Sequence, residues 1–363
     1  MAVIVAARRS PVAPRGGALA GHEVHDLAAP VIAALLADAG LPADAVDELI
    51  LSNALGAGGN PARLAALAAG LGQDVAGLSI DRQCCGGLDA LLLADALIDA
   101  GRHRVVIAGG AESYSRRPLR LRPDPQGGPP VAYDAPPFTP WPDRDPDMAQ
   151  AAQALALGRG LDREAQDRWA VASHARALAA HLPEIVPMAG LRRDPFARRL
   201  SPTLAARARS VAGSISTANM AVAADGAAFC LLVSDQLARD LPGRRWRILS
   251  GATLGDDPGC PGLAPVPAMR RALTQAGLGP ADLAAAEIME AFAVQAMACV
   301  AEIGLDPARV NRGGGALARG HPIGASGAVN AVRLCHELAP GQHGLAAIAA
   351  AGGLGSALVL RAD

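Results

Sequence analysis

The chain has 363 residues, a formal net charge of −1 at pH 7, and 51% hydrophobic, 18% charged and 2% aromatic side chains. All 33 basic residues are arginine, which excludes a Schiff-base lysine, a pyridoxal-phosphate lysine and a P-loop lysine. The near-neutral balance argues against nucleic-acid binding, which normally requires a net basic face.

At this length the expectation is two domains, or one large α/β unit carrying an insertion. Only nine aromatics are present, so the core must be built from Ala, Leu and Val packed closely. The apolar run in MAVIVAARRS is too short for a signal peptide. The stretch from Leu345 to Leu360 is shorter than the roughly 20 residues of a membrane span and is interrupted by glycines. The six cysteines show no metal-ligand spacing. A soluble, cytoplasmic protein with reduced thiols and no metal is expected.

Taken in chain order, Ala2–Ala6 reads as a strand and Val24–Ala37 as a helix, kinked or restarted at Pro30. Strands at Glu48–Ser52, Gly77–Asp81 and Arg104–Gly109 alternate with helices at Pro61–Leu71 and Gly87–Ala100. This alternation implies parallel pairing and a sheet covered on both faces. From Arg116 to Asp147 ten prolines break the pattern, and the segment reads as neither strand nor helix. Tyr133, Phe138 and Trp141 make it an ordered cover that shapes a pocket. Helices follow at Ala149–Gly158 and Arg163–Ala180, then an arginine patch (192, 193, 198, 199, 207, 209) with Asp194 as its one counter-charge. Alternation resumes with strands at Trp246–Gly251 and Ala285–Met289 and helices at Pro267–Ala276, Glu290–Ile303 and Gly324–Leu338. Adjacent strands at Leu345–Ala350 and Gly355–Leu360 end the chain. Val105-Val-Ile-Ala-Gly-Gly echoes Leu345-Ala-Ala-Ile-Ala-Ala-Ala-Gly-Gly, which suggests a duplicated α/β unit with residues 115–215 inserted.

Three segments carry candidate chemistry. In Ser79-Ile-Asp-Arg-Gln-Cys-Cys-Gly-Gly-Leu, a strand ends and a helix apolar on nearly every face begins. A thiol there meets free amides and the positive end of the helix dipole, which lower its pKa. Cys84 or Cys85 is placed as a nucleophile would be; a small buried core thiol fits the same position. In Asn311-Arg-Gly-Gly-Gly-Ala-Leu-Ala-Arg-Gly-His-Pro-Ile-Gly, a glycine-rich loop presents one imidazole, able to activate a thiol or bond a thioester oxygen. A lone loop histidine is otherwise a surface residue. In Ala349-Ala-Ala-Gly-Gly-Leu-Gly, a glycine turn aims amides at an oxyanion or simply closes a hairpin.

Together these segments resemble the thiolase family along almost the whole chain. The Cys84 segment is similar to Asn-x-x-Cys-x-Ser-Gly, with Asp81 for Asn and Gly86 for Ser, which selects Cys84 over Cys85. Val106–Ser115, Asn219, Asp225-Gly-Ala-Ala, Pro265-Val-Pro-Ala, Glu290-Ala-Phe-Ala and Gly320-His-Pro-Ile-Gly-Ala-Ser-Gly-Ala fall in family order. The resemblance implies two βαβαβαββ halves, residues 1–240 and 241–363, in a layered α/β/α/β/α core, with a loop domain inserted in the first. It also implies acyl-CoA and CoA as substrate and product, no separate cofactor, no nucleic acid or membrane partner, and a homodimer or homotetramer. Cys84 would accept an acyl group, His321 would activate it, and the amides of Cys84 and Ala351 would form an oxyanion hole. Met148, Ala221, Met289, Phe292 and Gly353 are the implied substrate-binding positions.

The sequence departs from the family where the second half-reaction needs proton transfer. Ala349 replaces a second cysteine, and Met289 replaces the Asn of Asn-Glu-Ala-Phe. Ala221 stands for a serine beside the pantetheine arm and Asp147 for a histidine. Cys260 is a candidate substitute thiol or a structural loop residue. The arginine patch suits CoA phosphates or a solvated face. The leading reading is an acyltransferase for thiolysis or Claisen condensation. The others are acyl transfer to water, alcohol or amine, and a binding subunit without turnover.

Overall fold

The computed structural model describes residues 2–56 and 58–363. Its first half runs β1 (Ala2–Arg9), α1 (Val24–Ala39), β2 (Glu48–Ser52), α2 (Pro61–Ala68), β3 (Leu78–Ile80), α3 (Gly86–Asp99) and β4 (Val105–Glu112). Residues 113–223 then leave the sheet, carrying α4 (Met148–Arg159) and α5 (Arg163–Ala179), before the chain returns as β5 (Ala224–Ser234). The second half comprises β6 (Trp246–Gly255), α6 (Pro265–Ala276), β7 (Leu283–Ile288), α7 (Ala293–Ile303), α8 (Ile323–Glu337), β8 (His343–Ala350) and β9 (Leu354–Ala362).

The strand order is β7-β8-β9-β6-β1-β5-β4-β2-β3, which is palindromic about the β1–β6 junction. Only Val3↔Arg247 and Ile4↔Trp246 pair there, so the two half-sheets hinge apart and enclose a shared layer. α3 and α8 fill that layer; α8 packs on β4 and β5 of one half and on β7 and β8 of the other. α1 and α2 cover the outer face of the first sheet, and α6 and α7 that of the second. Five layers result, with three apolar clusters separated by the two sheets.

The pairing is mixed rather than parallel throughout. β2 is parallel to β3 and β4, and β7 to β8, but the first and last strands of each half run antiparallel to their neighbours. β5, which the sequence reading did not identify as a strand, is buried over nearly its whole length, so its apolar run lacks the alternation that marks a half-exposed strand. The second half has no full counterpart of β3; a single parallel bridge, Ala286↔Val310, takes its place. α1 runs uninterrupted through the exposed Pro30.

Small residues let the central helices touch backbone to backbone. A Cβ on Gly87 would sit 2.5 Å from the amide nitrogen of Ala328, and one on Gly327 would sit 2.6 Å from that of Leu88. This contact sets the separation of α3 and α8, and with it the distance between the turns that precede them.

The proline-rich segment is not wholly irregular. Its proline-free stretches Arg120–Arg122 and Val131–Tyr133 pair as an antiparallel hairpin, closed by Asp124 and by Gly127 at φ 81°. Prolines flank both stretches, so they limit the ladder's length without preventing it. The insertion is anchored by a buried ion cluster. Arg9 donates to Glu184 at 3.1 Å and to Asp194 at 2.7 and 3.0 Å, and Arg333 of α8 donates to the same Glu184 oxygen at 2.9 Å. Asp194 therefore neutralises Arg9, not the arginine patch around it.

Candidate active site

Cys84 lies in a one-turn 3-10 segment, Gln83–Cys85, immediately before α3. Gln83 holds φ 50°, a left-handed conformation that a non-glycine residue adopts only under constraint. The Asp81 carboxylate secures it by accepting from the Gln83 amide at 2.8 Å. Cys85 points the other way, fully buried, with its thiol 3.6 Å from the Ile348 carbonyl. The structure thus separates two adjacent thiols that residue type alone does not.

His321 precedes α8 as Cys84 precedes α3. Its amide donates to the Val222 carbonyl at 2.8 Å, which tethers the histidine loop to the segment entering β5. The Cys84 Sγ and His321 Nε2 are 3.1 Å apart. On the far side of the ring, His321 Nδ1 lies 2.6 Å from Ser326 Oγ, and that hydroxyl donates to the Pro322 carbonyl at 3.2 Å. With its hydrogen committed to Pro322, the hydroxyl accepts from Nδ1–H, leaving the Nε2 lone pair toward the thiol. Ser326 falls inside the Gly320-His-Pro-Ile-Gly-Ala-Ser-Gly-Ala motif, yet the sequence alone assigns it no role. Only its placement one helical turn into α8 reveals the contact.

The electrostatics correct one expectation. The helix N-terminus was expected to lower the thiol's pKa. Burial instead pushes Cys84 up to about 12, with the charges of Glu112 and Asp81 adding to the rise. Burial likewise lowers His321 to about 4. The resting pair is therefore neutral thiol and neutral imidazole, because desolvation exceeds the dipole's contribution.

Both side chains face a cavity of about 540 Å³. One wall carries Met148, Ala152 and Leu155 of α4 with Met220, Ala221 and Phe292. Met220 and Phe292 form an antiparallel bridge, and Ala221 N donates to Ala291 O at 2.9 Å. This extended pairing is why α7 starts at Ala293 rather than at Glu290 as the sequence pattern suggests. Glu290 itself is buried, accepting from Trp169, Ser173, Asn311 and the Leu317 amide. The opposite wall carries Ala54, Leu55, Tyr114, Arg117, Arg120 and the loop from Asp134 to Phe138. Phe138 therefore covers the cavity, whereas Trp141 is half-exposed beneath Arg144.

Ala349, Ala350 and Ala351 complete the lining beside Cys84. Ala351, Gly352 and Gly353 form the turn joining β8 and β9. Gly352 and Gly353 have φ of 78° and 75°, and a Cβ on Gly353 would lie 2.4 Å from the Asp256 carbonyl oxygen. Gly353 thus shapes the turn but does not line the cavity. Met289 does not line it either; its side chain is buried in the central core, and its amide donates to Ala347 O at 2.9 Å. Cys260 also stands outside the lining, which takes its neighbours Pro261 and Gly262 instead. None of the six patch arginines lines the cavity, and Arg198 stacks 4.3 Å over Phe196.

Among the described residues no helix is long and apolar enough to cross a membrane, and no group of three or more His, Cys, Asp or Glu side chains is arranged to hold a metal ion. Residues 2–236 match the family description "Thiolase, N-terminal domain", and residues 245–362 match "Thiolase, C-terminal domain". The acetyl-CoA acetyltransferase of Pseudomonas aeruginosa is 39% identical, over 99% of this chain and 99% of that one. Among solved structures, the acetyl-CoA acetyltransferase of Bacillus anthracis superposes with a TM-score of 0.92 at 33% identity, covering 100% of this chain and 98% of that one. Acat5 thiolase from Ascaris suum, solved with coenzyme A, gives 0.92 at 31% identity, covering 99% and 100%. With both halves matched and near-complete coverage at these identities, the chain belongs to the thiolase family.

Proposed function

We propose that this protein is an acyltransferase that takes an acyl group from an acyl-CoA thioester onto Cys84. The observation that carries the reading is the 3.1 Å approach of His321 Nε2 to the Cys84 thiol, in the tautomer set by Ser326, at the wall of a mainly apolar cavity. His321 Nε2 accepts the thiol proton as sulfur attacks the thioester carbonyl. The carbonyl oxygen becomes an oxyanion that the amides of Cys84 and Ala351 receive. Collapse expels coenzyme A thiolate, which takes the proton back from His321, leaving an acyl-enzyme. Attack by a second nucleophile reverses the sequence and frees Cys84. Because thiol and imidazole are neutral at rest, the proton moves with the attack rather than before it.

Coenzyme A as donor and acceptor is supported by the Ascaris suum relative solved with it. The Met148–Ala221–Phe292 wall is the path we assign to the pantetheine arm. The chemistry calls on no cofactor beyond coenzyme A itself. Ala349 offers no proton carrier to the cavity, so Claisen condensation and thiolysis of 3-ketoacyl-CoA are the slow half-reaction, while acylation keeps its full machinery. The assembly we assign is a homodimer or homotetramer, which light scattering on the purified protein tests; a monomer would refute it.

Incubation with acetyl-CoA followed by intact-protein mass measurement tests the central claim. One acetyl increment that disappears in Cys84→Ala is expected. No adduct in the wild type, or one that survives the substitution, overturns it.

A further inference from the structure

Glu112 ends β4 and is fully buried, yet among the described residues no arginine forms an ion pair with it. Its carboxylate accepts four hydrogen bonds from neutral donors. Oε1 accepts from Asn53 Nδ2 at 2.7 Å and Leu55 N at 3.2 Å; Oε2 accepts from Ala54 N at 3.0 Å and Gly324 N at 2.9 Å. The first three donors belong to the loop after β2, whose Ala54 and Leu55 line the cavity. The fourth is the second residue of α8, three residues beyond His321 and two before Ser326. One side chain of the first half therefore grips the helix end of the second half that carries the imidazole and its orienting hydroxyl. The grip is close: a Cβ on Gly324 would lie 2.9 Å from the Ser52 carbonyl oxygen and 3.0 Å from Glu112 Oε2.

We propose that Glu112 is a positioning residue for the Cys84–His321 pair, holding the start of α8 against the cavity loop only while it is ionised. The proposal rests on the acyl-enzyme reading above and deepens it. All four partners donate, so all four bonds need a carboxylate; a proton on either oxygen faces an N–H and releases one of them. Burial raises the Glu112 carboxyl to about 7, against the pull of its amide donors, and the charge of Asp81 adds to the rise. From the turn before α3, Asp81 and Cys84 couple to it electrostatically. On β5, beside its pairing partner Gly226, Asp225 is committed to Ser115. The titratable group nearest along the chain to the start of α8 is His321, which stays neutral through this range. The competent form is the carboxylate, so function is lost as pH falls through about 7.

The test is the single-turnover rate of Cys84 acylation by acetyl-CoA from pH 5.5 to 8.5 in wild type, Glu112→Gln and Asn53→Ala. In the wild type the rate is level at the alkaline end and about tenfold lower one unit below the midpoint. Glu112→Gln keeps the shape but sets an NH2 against a donor, so its rate at pH 8 is about tenfold down, with no acid limb. Asn53→Ala removes one donor to the charged form, so the limb moves to higher pH. A wild-type profile in Glu112→Gln, or a uniform loss that retains the limb, overturns the proposal. A limb that stays in place in Asn53→Ala does so too, and that variant decides the matter if Glu112→Gln fails to fold. If acetyl-CoA labels no form of the enzyme, the acyltransferase reading fails. The same three profiles are then read by iodoacetamide alkylation of Cys84, which needs only thiol and imidazole, and the same outcomes support or refute the positioning role.

Discussion

The two halves follow the same order of strands and helices apart from β3, which the second half replaces with a single bridge. Each presents one member of the Cys84–His321 pair from the turn before its central helix: Cys84 before α3, His321 before α8. They differ in how the last two strands connect. In the second half, β8 and β9 join through a three-residue turn in which Gly353 presses on Asp256 and Gly352 on the Phe138 carbonyl. In the first, residues 113–223 intervene between β4 and β5, and this excursion supplies much of both cavity walls. A duplicated scaffold therefore holds the chemistry in place, while an unduplicated insertion determines what can enter. Scaffold changes should alter rate or stability, and insertion changes should alter substrate recognition.

The largest test of that comparison removes one reacting group from each half. Cys84→Ala should abolish acyl-enzyme formation, and His321→Ala should cut it by about 10⁴-fold in single-turnover assays. A His321→Ala protein within about tenfold of wild type would break the pairing of the halves. Ala349→Cys places a thiol on the cavity wall near the end of β8, and should raise acetoacetyl-CoA thiolysis by about 10²-fold with acylation unchanged. No gain would mean that proton transfer is not what limits that step. Gly327→Val, at the helix contact that spaces the two turns, should cost about 1–3 kcal/mol in denaturant unfolding. An unchanged midpoint would show that α3 and α8 can separate freely. Ser326→Ala frees the His321 ring and should lower the acylation rate about tenfold with KM little changed. The smallest effect lies in the insertion: Phe138→Ala should change KM across an acyl-CoA length series by about threefold without altering the limiting rate. A loss in limiting rate instead would place the loop within the reacting machinery.

Much of the fold was legible because apolar runs and glycine punctuation mark strand and helix directly. The echo between Val105 and Leu345 points to strands β4 and β8, which hold equivalent places in the two half-sheets. The buried strand β5 escaped because it lacks alternation, and the hairpin at 120–133 because prolines surround it. Cys84 and His321, which the structure brings within 3.1 Å, stand within recognisable motifs. Met289 and Gly353 did not reach the cavity, because an alignment assigns positions while the local backbone decides where side chains point.

The sequence alone determined which groups exist. It supplied thiols and imidazoles with no lysine amine, an alanine where a second thiol would sit, and glycines where backbones must touch. Tertiary structure decided which of them meet and in what state of charge. Cys84 and His321 are separated by 237 positions, and their 3.1 Å contact depends on two helices crossing at Gly87 and Gly327. The neutral state of the pair and the raised carboxyl of Glu112 follow from desolvation, a property of the packed interior that no local stretch of residues encodes.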